Sequence, residues 1–370
     1  MSEAVTDATE FAVRFPETFS VFEQFRERGM HRGMQLCVLL QGEAHVDIAL
    51  GDAADGVPLR TDHRMSWLSA GKPLTVAAWA QLWEQDGVAL DDPVATVIPE
   101  FANRSKERIT WRHVLTHTAG LRNVDHGWPD IAWKETLRRL CEANLDDGAV
   151  VGVTPGYHTA SSWFLLGEAL QRISGLSYAA VMQSEVFDMF GMTNTVTAVP
   201  EGAESDLDVP LFERVQGELR DLGWHRPPRM SSPSPGSSLR GPIRELARFY
   251  EALRRDGSGW LTPQTVAALT ARHRVGEHDL TLAHVVDFGL GFIIDSNRYG
   301  AETVPYGYGR YCSRRTFGHG GAQCSQGYCD PEAGLVVAYA FNGRPGEGQH
   351  QRRARALNEA IYRDLGLGAL

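Results

Sequence analysis

Residues 69–73 read S-A-G-K-P, and two of them could do chemistry together. On a helix, positions i and i+3 share a face, so the Lys72 amine can reach the Ser69 hydroxyl. A serine hydroxyl is a weak nucleophile until an adjacent base takes its proton, and a lysine removed from water can lose its own proton and serve as that base. The chain has only three lysines, at 72, 106 and 134, so a serine three places ahead of one of them is mildly unexpected. Pro73 suits a first helical turn, where a missing N–H loses no intrahelical bond. Ser69 then lies near a helix N-terminus, whose free N–H groups and dipole favour a developing negative charge. An N-cap serine beside a solvated lysine would give the same segment. A phosphate loop would not: it needs glycine at 66 and Ser or Thr at 73, where the chain has Ser66 and Pro73.

Two further stretches offer partners. T-P-G-Y-H-T-A puts Tyr157 in a turn just ahead of an apolar helix, and F-G-H-G-G-A puts His319 beside Gly320 and Gly321 in a strand pattern. Glycine weakens a strand and often marks a close approach of backbone or ligand. Taken singly, Tyr157 also reads as a core aromatic and His319 as a satisfied histidine. Cys312, Cys324 and Cys329 flank His319, but their spacings are not those of zinc ligands, so neither a metal nor another cofactor is expected. Just upstream, Tyr306, Tyr308, Arg310, Tyr311, Arg314 and Arg315 crowd one segment. They read either as a lip for an aromatic or anionic group or as a solvated loop with structural tyrosines.

These residues must be positioned by the elements around them. Phe19, Phe22, Phe25 and Met30 recur at near-helical spacing, and "MQLCVLLQGEAHVDIALGDA" reads as a hairpin turning at Gln41-Gly42-Glu43. From 69 to about 240 the patterns are mostly helical, ending in "HRPPRMSSPSPGSSLRGP", whose prolines and glycines require an irregular loop. Strand patterns return in "FGLGFIID", "TFGHGGAQCSQGYCD" and "GLVVAYAFNG", before a closing helix "RRARALNEAIYRDLG". This order predicts an α/β protein of the α+β type. Its antiparallel sheet is flanked by helices and built from both chain ends, with a mainly helical region inserted between. The expected division is a sheet domain of 1–75 and 245–370 and a helical domain of 76–244, with the active site at their interface.

Composition narrows the partners. A net charge of −10 argues against a nucleic-acid or anionic-lipid surface, and no apolar run is long enough to cross a bilayer. The acidic, polar start lacks the basic and apolar regions of a secretory signal, which points to the cytoplasm. Five cysteines in a chain of 370 residues do not suggest a disulfide framework. Small molecules are the expected partners, and oligomeric state is left open.

In this order the stretches around Ser69, Tyr157 and His319 resemble the serine β-lactamase and penicillin-binding-protein superfamily, most nearly class C β-lactamases and family VIII carboxylesterases. "LTHTAGL" (115–121), "VFDMFGMTNT" (186–195) and "DPEAGLVVAYAFN" are similar to segments such enzymes carry, and the likeness spans nearly the whole chain. The resemblance implies a β-lactamase/transpeptidase-like fold, with Ser69 as the acylated nucleophile and Lys72 and Tyr157 moving its proton. It places the oxyanion between the backbone N–H groups of Ser69 and Ala322, with His319, Gly320, Gly321 and His158 bordering the substrate. Where the family has Y-x-N this chain has Tyr157-His158-Thr159, and His319 replaces the lysine of K-T-G. Both departures favour hydrolysis of an ester or thioester over a β-lactam or D-amino-acid peptide. Transfer of the acyl group to a small alcohol or amine, and a non-catalytic binding role, are the alternatives.

Overall fold

The computed structural model describes residues 4–85 and 87–368. Helices α1 (Ala8–Arg14) and α2 (Pro16–Glu27) precede the hairpin of β1 (Gly33–Leu40) and β2 (Glu43–Ala54). Its turn uses positive φ at both Gln41 (54°) and Gly42 (84°), which matches the twist of the two strands. After β3 (Val57–Pro58) and β4 (Met65–Ser66), a 3-10 turn (Leu68–Gly71) runs directly into α3 (Lys72–Glu84). The middle of the chain carries α4 (Trp111–Leu115), α5 (Trp133–Glu142), α6 (Trp163–Ser174), α7 (Tyr178–Met182) and a ribbon of β5 (Phe212–Val215) and β6 (Glu218–Asp221). Then follow β7 (Arg240–Gly241), α8 (Ile243–Arg254), α9 (Pro263–Thr270), β8 (His278–Asp279) and β9 (His284–Val285). The chain closes with β10 (Ile293–Ile294), β11 (Phe317–Gly321), β12 (Ser325–Asp330), β13 (Leu335–Phe341), β14 (Gly343–Arg344) and α10 (Glu347–Asp364).

The main sheet has the order β10-β11-β12-β13-β1-β2-β3, antiparallel throughout. It is therefore built from both chain ends, as expected, with β13 against β1 (Met34 opposite Phe341, Leu40 opposite Leu335) closing it. Side chains alternate between faces along a strand, so β13 feeds two cores. Leu335, Val337, Tyr339 and Phe341 pack with Phe11, Phe22, Leu357 and Ile361 of the terminal helices. Val336, Ala338 and Ala340 face the other way, toward Leu246, Ala247 and Tyr250 of α8. Helix α3 is apolar on nearly every side and buried from Lys72 to Ala80, so its first turn is wedged between the sheet and the helical region.

Three sequence expectations shift. "FGLGFIID" forms only the two-residue β10, because the Gly289 N–H turns back to the Phe292 carbonyl and Gly291 sits at φ 75°. The ribbon β5–β6 lies in the region read as helical; its alternation around Gln216-Gly217 was the available signal. Ser69 lies in the 3-10 turn before α3, whereas Lys72 opens the helix itself. All five cysteines are free thiols. Among the described residues no three His, Cys, Asp or Glu side chains group to hold a metal, and no helix is long and apolar enough to cross a membrane.

Candidate active site

The turn carrying Ser69 is fixed from several sides. The Trp67 N–H donates to the Leu239 carbonyl (3.0 Å), its indole N–H to the Gly241 carbonyl (2.9 Å), and its own carbonyl accepts from Ser325 Oγ (2.6 Å). Leu68 is held at φ 48°, an unfavourable conformation for a branched side chain that persists only because its surroundings enforce it. Ser69 follows at once, half-buried on the wall of a cavity of about 510 Å³.

Lys72 is fully buried, and its Nζ has three neighbours: the carbonyls of Thr159 (2.8 Å) and Gly236 (2.6 Å) and the Ser69 hydroxyl (3.0 Å). The rings of Trp163 and Tyr157 flank it at 5.0 and 5.5 Å. Burial pushes the ammonium well below its ordinary value. A neutral amine has two N–H bonds and one lone pair. With both carbonyls taking an N–H, the lone pair faces Ser69 Oγ, the arrangement a general base needs.

Tyr157 is also buried. Burial raises its hydroxyl above the usual phenol value, while the adjacent Ser69 hydroxyl pulls the other way. It is therefore a phenol at neutral pH, able to pass a proton but not to start as a phenolate. The Tyr157 ring leans on His319 (5.7 Å between centroids) and His117 (4.7 Å). Of the pair expected to share proton transfer, the lysine has the lowered pKa.

His319 lines the same cavity on β11, with Nδ1 2.8 Å from the Gly320 carbonyl. Burial, reinforced by Lys72, lowers its pKa to about 3, so it is neutral at physiological pH. A substrate carboxylate would meet an imidazole there and no cation. Gly320 and Ala322 also line the cavity. Gly321 stands behind it, where a Cβ would lie 2.2 Å from both the Trp67 carbonyl oxygen and Ser325 Oγ. Its lack of a side chain lets β11 lie directly against the turn that carries Ser69. Gly321→Ala should therefore cost about 1–3 kcal/mol from overpacking. It should also move Ala322 away from Ser69, which would lower about 100-fold any turnover that uses the two together. Chemical denaturation and steady-state kinetics measure the two effects, with Gly348→Ala in the first turn of α10 as a tolerated control.

His158, expected to border the substrate, does not line the cavity. Its side chain is fully buried, with Nδ1 2.8 Å from Ser162 Oγ and Nε2 facing the Leu121 N–H (3.5 Å). Tyr157, Thr159 and Ala160 line the cavity, whereas the His158 side chain is turned into the interior toward Ser162 and Leu121. Sequence reading also missed the groups that hold Tyr157. Its N–H donates to Asp279 Oδ1 (3.1 Å), and His117 Nδ1 accepts the His158 N–H (3.0 Å). His117 lies in the quoted LTHTAGL segment. Asp279 carried no signal, and the Thr159 and Gly236 carbonyls could carry none.

A sequence profile described as Beta-lactamase matches residues 19–361. The chain belongs to the beta-lactamase family. This is a family of serine hydrolases. Esterase EstB of Burkholderia gladioli is 27% identical, covering 96% of this chain and 96% of that protein. A penicillin-binding protein homologue from Caulobacter crescentus superposes with a TM-score of 0.75 at 25% identity, over 98% of this chain and 99% of that one. EstCE1, described as a hydrolase with promiscuous acyltransferase activity, superposes with a TM-score of 0.81 at 22% identity, over 96% and 100% of the two chains. The beta-lactamase-family fold is thus the architecture in which the Ser69 turn, the Tyr157 loop and β11 converge on one cavity.

Proposed function

We propose that this chain hydrolyses small carboxylic esters through an acyl-enzyme on Ser69. The observation that carries the reading is the Ser69–Lys72 pair, a hydroxyl 3.0 Å from a buried amine whose two other neighbours are carbonyl acceptors. In the acylation step Ser69 Oγ bonds to the ester carbonyl carbon while Lys72 takes its proton. The oxyanion would be met by the N–H groups of Ser69, near the helix start, and Ala322, just past β11. As the C–O bond breaks, the alkoxide leaves with a proton passed from Lys72 through the Tyr157 hydroxyl. Water then attacks the acyl-serine by the same proton route, releasing the acid and restoring Ser69.

Ester preference is supported by the neutral His319, by Thr159 in place of an amide side chain, and by the likeness to an esterase at 27% identity. Intact-mass measurement with a fluorophosphonate should add one adduct to the protein and none to Ser69→Ala; equal labelling of both would sink the reading. Turnover of a chromogenic cephalosporin rivalling that of simple esters would favour a β-lactam hydrolase instead. Ester products that appear when an alcohol acceptor is added would favour acyl transfer.

The reading also fixes a pH dependence. Activity requires the free amine of Lys72, so log kcat/KM should rise with unit slope up to its lowered pKa, well below 10.5, and then level off. Burial lowers both His158 and His319 to about 3, so at neutral pH neither carries a proton to lose.

A further inference from the structure

The cationic group at the substrate cavity comes from a segment read as a connecting loop, and not from the Tyr/Arg-rich stretch 305–315. There, Arg310 is ion-paired with Glu359 (3.1 Å) and with Glu302, and Tyr308 is buried with its hydroxyl on the Ile293 carbonyl. Arg229, by contrast, lines the cavity together with Trp128 and Trp224. Its guanidinium carbon stands 3.6 Å from the centroid of the Trp224 ring and 4.6 Å from that of Trp128. The nearby Arg240 and Arg344 have acids within reach, Asp208 at 3.9 Å and Glu213 at 3.7 Å. Among the described residues no carboxylate lies within ion-pair distance of Arg229, and burial with the repulsion of those two arginines lowers its pKa to about 10.

The support beneath it is built. Trp128 Nε1 donates to the Ser232 carbonyl (3.0 Å), and Arg240 donates to the Trp224 carbonyl (3.0 Å). The adjacent Met230 is buried, and its carbonyl accepts from the Val199 N–H (2.9 Å). Indoles cover the faces of a guanidinium and leave its in-plane N–H fork free, which is the shape that binds a carboxylate through two parallel hydrogen bonds. The acid facing the same cavity, Glu347, accepts from Gln351 Nε2 (2.6 Å) and lies beside the Tyr306 hydroxyl.

We infer that Arg229 selects ester substrates that carry a carboxylate away from the scissile bond. This deepens and rests on the ester-hydrolase reading. Packed against the two indoles, the guanidinium pairs with the distal carboxylate and anchors the substrate while Ser69 attacks its carbonyl.

The test compares kcat/KM for mono-para-nitrophenyl glutarate against para-nitrophenyl pentanoate, and for para-acetoxybenzoate against phenyl acetate, after subtraction of the Ser69→Ala rate. One pair places the carboxylate on the acyl side and the other on the leaving-group side. The wild type should favour the charged ester in at least one pair by about tenfold or more, and the preference should shrink at high salt. Arg229→Gln should reduce that ratio by about tenfold, and Arg229→Lys, which keeps the charge but not the fork, should restore only part of it. Turnover of the neutral esters with no preference in either pair would overturn the inference while leaving the hydrolase reading intact. So would an Arg229→Gln variant that slows charged and neutral esters in equal proportion. Failure to turn over any of the four esters, or rates that persist in Ser69→Ala, would overturn both.

Discussion

Lys72→Ala and Ser69→Ala are each expected to lower ester kcat/KM by about 1,000-fold or more, and the double variant scarcely further. The reason is that the two side chains act as one unit. Without the amine, the Ser69 hydroxyl keeps its proton; without the hydroxyl, the amine has nothing to deprotonate. General-base assistance alone contributes about 100- to 10,000-fold, and 1,000-fold corresponds to about 4 kcal/mol of transition-state stabilisation. Independent contributions would instead multiply to about a million-fold, so steady-state rates of the two single variants and the double distinguish the cases. Folding stability supplies a second signature. The buried amine binds its proton less readily in the folded than in the unfolded chain, so wild-type stability should increase as pH rises from the lowered Lys72 value toward 10.5. Lys72→Ala should lose that slope, as denaturant unfolding at several pH values would register.

The second large effect is expected away from the reacting atoms. Asp279 is fully buried; Oδ1 accepts the N–H groups of Tyr157 (3.1 Å), Thr281 (2.9 Å) and Leu282 (2.9 Å), and Oδ2 accepts from Arg274 (2.8 Å). Arg274 is nearly as buried and also donates to the Thr116 carbonyl (3.1 Å). Asp279→Ala leaves that guanidinium without its counter-charge, which should cost about 3–5 kcal/mol in chemical denaturation. Paired with Arg274→Met, the same substitution should cost markedly less, because no isolated charge then stays buried. Both variants should also lower kcat, since the Tyr157 backbone loses the acceptor that fixes its position.

Much of this architecture was legible from local pattern. The β1–β2 hairpin, β11 through β13 and the closing helix follow from alternation, turn residues and 3.6-residue periodicity, which act over a few neighbours and survive without tertiary information. The "FGLGFIID" strand failed where Gly289 and Gly291 turn the chain, because backbone conformation outweighed apolar content. At the site, Ser69, Lys72 and Tyr157 could be singled out because reactive side chains at fixed spacings leave a chemical signature, and the fold brings the three together. His158 was misplaced by its neighbourhood. It is adjacent to Tyr157 in sequence, yet its side chain is buried against Ser162 and absent from the cavity wall.

The sequence alone determined the inventory of chemistry: one serine three residues ahead of a rare lysine, a tyrosine in a turn, and a histidine where a strand lysine was expected. It also determined the elements that carry them, since those depend on local preferences. Tertiary structure decided what those groups are. Lys72 is disposed to be a neutral amine because burial takes it out of water, and two carbonyls from distant loops hold its Nζ beside Ser69. His319 stays neutral for the same reason of burial, and Arg229 becomes a cavity cation only when two tryptophans, 128 and 224, close on it. Solvation and orientation are set by residues far apart in the chain, so they exist only once it has folded.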